Sequence, residues 1–212
     1  GVPTPGEVVL AHRGVLFLDE LGEYPPQLLD ALRAPIEDGS VVVARQGATV
    51  EFPCQIQVIA ATNPCPCGFA GDRTKPCECS ESMKARYQRR FSGPLLDRFD
   101  LRVDVPRLRV SELTGPPGEC SADVRARVTA ARRRQFDARG RLNRELKRRD
   151  LDDLEWTDTA VRRLADAASD DLLTARGWDR VRRVARTVAD LSGSVPADGP
   201  HIDAALRMRV TL

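Results

Sequence analysis

Asp19 and Glu20 stand side by side at the end of an apolar run, Val15-Leu16-Phe17-Leu18. Two adjacent carboxylates at the exit of a strand repel each other and favour a cation or water between them and solvent. Such a pair suits phosphoryl chemistry, one acid organising Mg²⁺ and the other polarising the water that attacks a γ-phosphate. A strand that ends on acids by chance is the alternative. A second apolar run, "IQVIAATNP", closes on Asn63. A short amide there can hold an attacking water or read a γ-phosphate. Directly after it come Cys65-Pro-Cys67 and Cys77-Glu-Cys79, two C-x-C pairs nine residues apart. Four thiolates at that spacing suit a tetrahedral Zn²⁺ site. Four reduced cysteines in a loop are the other reading. Cys54 and Cys120 are isolated and read as ordinary small apolar residues. His12 and His201 have no acid or nucleophile at readable spacing and receive no role.

These residues need elements to hold them. Val15–Leu18 lacks alternation and reads as a strand covered on both faces, as in a parallel sheet. Pro25 and Pro26 suit the first turn of a helix, with Leu28, Leu29, Leu32 and Ile36 on one face and Gly39 as its C-terminal cap. "SVVVARQGATVEF" predicts a hairpin about Gln46-Gly47, with Arg45 at its tip. The order is strand, helix, hairpin, strand, which supplies the long crossover that a parallel pair requires. If the two strands pair in parallel, Asp19, Glu20 and Asn63 meet at the carboxyl edge, where open α/β sheets bind ligands. "GPLLDRFDLRVDVP" predicts a short helix leading into another strand. Residues 107–120, with Pro116, Pro117 and Gly118, read as a linker. From 121 onward the pattern is helical: 121–139, a helix capped by Thr157 or Asp158, a helix with Val181, Val184, Ala185, Val188 and Leu191 on one face, and a last one over about 201–209.

The composition fits a soluble globular protein, with 42% hydrophobic and 30% charged residues among 212. No run approaches the ~20 apolar residues of a membrane span, and nothing argues for secretion, so a cytoplasmic protein without a membrane partner is expected. Without a secretory signal, six cysteines favour metal or reduced thiols over disulfides. Net charge is only +2, but eleven basic residues lie between Ser121 and Arg149 against Asp123, Asp137 and Glu145. That excess is either a polyanion surface or a solvated helix. The chain opens on Gly1 and enters a strand pattern within 15 residues, so it is expected to be part of something longer.

Taken together, the motifs resemble one family. "GVLFLDEL" looks like a Walker B strand of the AAA+ ATPases, "VIAATNPCPCG" like their sensor-1 strand, and "SGPLLDRFDL" like the segment that carries a trans-acting arginine finger. With "LLDALRAPIEDGSVVVARQG" between them, they resemble the magnesium-chelatase-like subgroup, in particular its bacterial competence branch, the ComM or YifB type. "TARGWDRVRRVARTVADLSG" resembles that family's C-terminal lid. The resemblance implies an α/β fold: a partial AAA+ core over 1–106 with a parallel sheet and a β-hairpin insert, the linker 107–120, and an all-α lid over 121–212. It also implies ATP and Mg²⁺ as ligands and self-association into a hexameric ring.

Carried over by residue, the resemblance makes Asp19 the Mg²⁺-organising acid, Glu20 the water-activating residue and Asn63 sensor 1. Arg98 becomes the finger, against an ion pair with Asp97 or Asp100. Arg176 becomes sensor 2, against a surface charge in an arginine-rich stretch. Arg45 on the hairpin would touch a phosphate backbone in a ring pore, against an unpartnered turn. No G-x-x-x-x-G-K-[ST] occurs in this sequence, so the phosphate-cradling loop is expected upstream of Gly1 and the chain is expected to be inactive alone. The implied function is a motor module that remodels DNA, with branch migration as the specific form. Its rivals are a chelatase-type motor driving metal insertion into a porphyrin and a non-enzymatic scaffold.

Overall fold

The computed structural model describes residues 4–45, 48–72, 74–91, 93–169 and 173–209. The chain divides into two compact units, the first ending at Arg98 and the second beginning at Phe99.

In the first unit a short helix, α1 (Glu7–Leu10), precedes β1 (Val15–Leu18). After it come α2 (Pro26–Ala31), α3 (Arg33–Asp38), β2 (Ser40–Arg45), β3 (Ala48–Pro53) and β4 (Gln57–Ala60). β1 and β4 pair in parallel with Val15 opposite Gln57 and Leu18 opposite Ala60. β2 and β3 form the expected antiparallel hairpin, and Arg45 faces Ala48. The connection 46–47 and the Arg45 side chain lie outside the described residues.

Two details depart from the sequence pattern. The single helix expected after Pro26 is broken at Leu32 into α2 and α3. Pro35 is the reason: it has no N–H to donate to Ala31, so the ladder is interrupted there. Leu29 and Leu32 are buried nonetheless, and Gly39 ends α3 at φ 68°, the left-handed cap expected of it. β1 is also not covered on both faces. Val15 and Phe17 are more than half exposed, and Ile59, the register partner of Phe17, is 42% exposed. Their shared face stays open because, among the described residues, the sheet has two strands and no layer over that side.

After β4 the chain is irregular to Ser80, then forms α4 (Glu81–Gln88) and α5 (Gly93–Leu96). The strand expected at 101–105 is not formed. Leu101, Val103 and Val105 are extended in sequence pattern yet exposed, since among the described residues no neighbouring strand offers them hydrogen bonds.

The second unit is helical: α6 (Val110–Leu113), α7 (Ser121–Arg139), α8 (Arg148–Asp152), α9 (Asp158–Ser169), α10 (Ala175–Ser192) and α11 (Gly199–Arg207). Thr157, not Asp158, caps α9, its hydroxyl accepting from the Ala160 N–H at 3.2 Å. Asp198 caps α11; the Thr157 and Thr159 hydroxyls, then the Gly199 N–H, hold its carboxyl down to about 2. The apolar core is Ala160, Leu164, Val181, Ala185, Ile202 and Ala205.

Beside it runs a buried polar stripe that the apolar periodicity of α10 does not announce: Arg182, Arg186 and Asp190, four residues apart. The Asp190 carboxylate accepts from Arg139 at 2.5 Å, Asn143 at 2.7 Å and Arg186 at 3.1 Å, and its carbonyl accepts from Arg134 at 2.7 Å. Much of the basic stretch is therefore structural. Arg134 and Arg139 point inward to Asp190, Arg127 pairs with Glu119, and Arg141 pairs with Asp150. This favours the ordinary helix over the polyanion surface for those residues. Removing Asp190 would leave the half-buried Arg139 and the buried Arg186 charges facing each other. Asp190→Ala is expected to cost about 3–5 kcal/mol in urea unfolding; a loss under about 1 kcal/mol would contradict the network.

Candidate functional site

The β1–β4 ladder runs past the strand ends. The Ala61 N–H donates to Leu18 O at 2.9 Å, and the Leu21 N–H donates to Ala61 O at 2.8 Å. Asp19 and Glu20 are the two residues that loop out between those bonds. Glu20 sits at φ 49°, ψ 48°, a left-handed conformation that a non-glycine residue adopts at a cost of about 1–2 kcal/mol. Its N–H donates to Asp19 Oδ1 at 2.9 Å, which fixes the first carboxylate against the kink. Both acids and Asn63 are exposed at this one edge of the sheet. The expected juxtaposition is thus present, and the strain lies on the residue that the pattern marks for chemistry.

Two residues that the sequence does not single out hold this edge together. Tyr87, buried on α4, brings its hydroxyl to 3.2 Å from the Thr62 hydroxyl, next to Asn63. The same ring covers Gly22, where an added Cβ would lie 2.1 Å from the Tyr87 oxygen. Arg90, one turn on, donates to Gly22 O and pairs with Glu23 at 3.5 Å. One helix therefore touches the exits of both strands. In the sequence neither Gly22 nor Tyr87 belongs to a motif that marks it for this contact.

Arg98 is buried and is bound inside its own unit, donating to Pro94 O at 2.6 Å and pairing with Glu37. The partner is neither Asp97 nor Asp100, because α3 carries Glu37 across to it. Arg176 lies exposed in the first turn of α10, in the second unit. His12 and His201 both do structural work: each accepts a main-chain N–H at Nδ1, from Gln55 at 3.1 Å and from Asp198 at 2.9 Å. Cys54 is fully buried, and burial pushes its thiol up. Cys120 is not the apolar residue expected; it is exposed, and its thiol lies 3.1 Å from Asp123. Cys65, Cys67, Cys77 and Cys79 converge, with all four sulfurs within 4.8 Å of one another. Among the described residues no helix is long and apolar enough to cross a membrane.

The sequence itself has known relatives. The family described as magnesium chelatase, subunit ChlI, matches residues 1–113, and the C-terminal family of the same subunit matches 118–209. The chain belongs to the magnesium-chelatase ChlI family. It is 41% identical to competence protein ComM of Haemophilus influenzae over 98% of this chain, and 39% identical to YifB of Escherichia coli over 98%. It spans 41% of the length of each of these relatives. The magnesium-chelatase 38 kDa subunit of Rhodobacter capsulatus is 29% identical over 93% of this chain and 51% of that protein.

Within this ChlI-family chain the contact of Tyr87 with Gly22 is open to test. Gly22→Ala is expected to destabilise the first unit by about 1–3 kcal/mol through overpacking. Tyr87→Ala in the same chain should relieve part of that loss, and a coupling of zero in the double-mutant cycle would contradict the contact.

Proposed function

We propose that this chain supplies the acidic half of an ATP site in an AAA+ motor, and that the motor remodels DNA as a ring of identical subunits. The observation that carries this reading is the looped-out Asp19-Glu20 pair beside Asn63 at the carboxyl edge of a parallel sheet. Exposed, adjacent carboxylates are the hard oxygen donors that Mg²⁺ prefers. Asp19, its carboxylate held by the Glu20 N–H, would hold Mg²⁺, and the ion would supply charge neutralisation at the phosphates. Glu20 takes the proton of the attacking water, and Asn63 holds that water in line. Tyr87 keeps the two strand exits in register while this happens.

The reading requires a phosphate-cradling loop from outside these 212 residues, and the chain spans 41% of the length of ComM and of YifB. Arg98 then acts on a neighbouring subunit's nucleotide, and to do so it must leave Glu37. Arg176 would contact nucleotide from the lid. The DNA reading rests on the competence relative being more similar than the chelatase subunit, 41% against 29% identity. Arg45 and the outward-facing charges of α7 are the candidates for touching a phosphate backbone.

The test uses the full-length protein. Glu20→Gln keeps the shape of the side chain and removes the charge that draws off the proton. Nucleotide should still bind, while turnover falls by at least ~100-fold. Turnover within a few-fold of wild type would assign Glu20 another task. Arg98→Ala should cost ~10³-fold or more if the side chain works in trans. Mixing those subunits with Glu20→Gln subunits should then restore activity at interfaces that regain both groups. An absence of recovery at every ratio would leave Arg98 as the buried partner of Glu37 alone.

A further inference from the structure

Between β4 and α4 the chain has little to fold around. Among the described residues of 64–80, the buried side chains are Cys65 and Cys79. Yet the loop folds back on itself. It brings Cys65 to 3.4 Å from Cys67 and 3.7 Å from Cys77, sulfur to sulfur, with Cys67 3.6 Å from Cys77. None of these is a disulfide, whose sulfurs lie about 2.05 Å apart. A regular tetrahedron of sulfurs at the zinc–thiolate distance of about 2.3 Å has edges of about 3.8 Å. The observed separations match that edge. The Ala70 N–H donates to Cys65 Sγ at 3.3 Å, an outer hydrogen bond of the kind that orients a metal-bound thiolate.

We infer that Cys65, Cys67, Cys77 and Cys79 bind one Zn²⁺ ion, and that the ion fastens the end of β4 to the start of α4. The donor set is all sulfur, which selects a soft or borderline metal over Mg²⁺ or Ca²⁺. Four protein ligands leave no open position, so the ion is structural and takes no part in hydrolysis. Its place in the chain gives it a task. Cys65 is two residues beyond Asn63, and Cys79 directly precedes Ser80, whose hydroxyl caps α4 at the Met83 N–H. The zinc clasp therefore fixes both the strand exit that carries Asn63 and the helix that carries Tyr87. Binding releases the thiol protons and exchanges S–H bonds for S–Zn bonds, with no change of oxidation state.

The site is independent of nucleotide, so its test does not depend on ATPase activity. Protein purified under reducing conditions without chelator should hold about one zinc per chain by elemental analysis. Titration with an organomercurial should release that zinc as four thiols react, before Cys54 becomes reactive. Cobalt loaded in its place should show the intense near-ultraviolet thiolate band of a tetrahedral sulfur site. Cys65→Ser and Cys77→Ser should each lose the metal, whereas Cys120→Ser should keep it. If the serine variants fail to fold, the mercurial titration of the wild-type chain still decides. Iron in place of zinc, zinc retained in both serine variants, or less than about 0.2 zinc per chain with the four thiols freely reactive would overturn the assignment.

Discussion

The register of β1 against β4 governs everything at the candidate site. A parallel ladder allows no one-residue slip, because a slip would carry Leu18 from the buried side to the open one. With Leu18 fixed opposite Ala60, the next two main-chain bonds fall at Ala61 and Leu21. The pair between them, Asp19 and Glu20, has no partner on the neighbouring strand and must bulge. The left-handed turn at Glu20 is the geometric price of that bulge. The crossover then brings Glu37 to Arg98 from α3, and α4 with the turn after it closes over the edge through Tyr87 and Arg90.

Residues that act through their own stretch of chain were the legible ones. The apolar runs "VLFL" and "IQVIAATNP" announced two strands, and the crossover between them implied a parallel pair, so the meeting of Asp19, Glu20 and Asn63 followed. The hairpin was legible from β-branched runs around a turn dipeptide, and Gly39 from the left-handed cap it forms. Contacts that depend on a distant partner were not legible. Nothing in the sequence ties Tyr87 to Gly22, or Glu37 to Arg98, because each pair lies more than 60 residues apart. The failed strand at 101–105 has the opposite cause. Its alternation is real, but a strand exists only where a neighbour accepts its hydrogen bonds.

The second unit shows how charge can replace apolar packing. α10 carries alanines at 185 and 189 where its neighbours approach closely, and arginines at 182 and 186 on the adjacent stripe. Those arginines are tolerated because each meets a carboxylate, Arg182 at Asp152 and Arg186 at Asp190. Arg182 also lies over the Trp156 ring, 5.4 Å from its centroid. Such a network sets geometry more tightly than apolar contacts do, since each donor accepts few directions. The same requirement explains why so many basic residues of α7 are spent within the unit.

Every residue from Leu101 to Ala130 is exposed, and before α7 begins at Ser121 only the four residues of α6 are in regular structure. A protease needs about that much extended, unobstructed chain to seat a substrate. Arg107 and Arg109 offer trypsin its preferred cleavage sites within it, whereas the main chain at Arg102 is tied to Met208 O at 2.6 Å. The arginines of the second unit's interior, by contrast, are shielded by the carboxylates they bind. Brief digestion would therefore part the molecule within this segment and yield two resistant pieces, one with the acidic edge and the other with the helices.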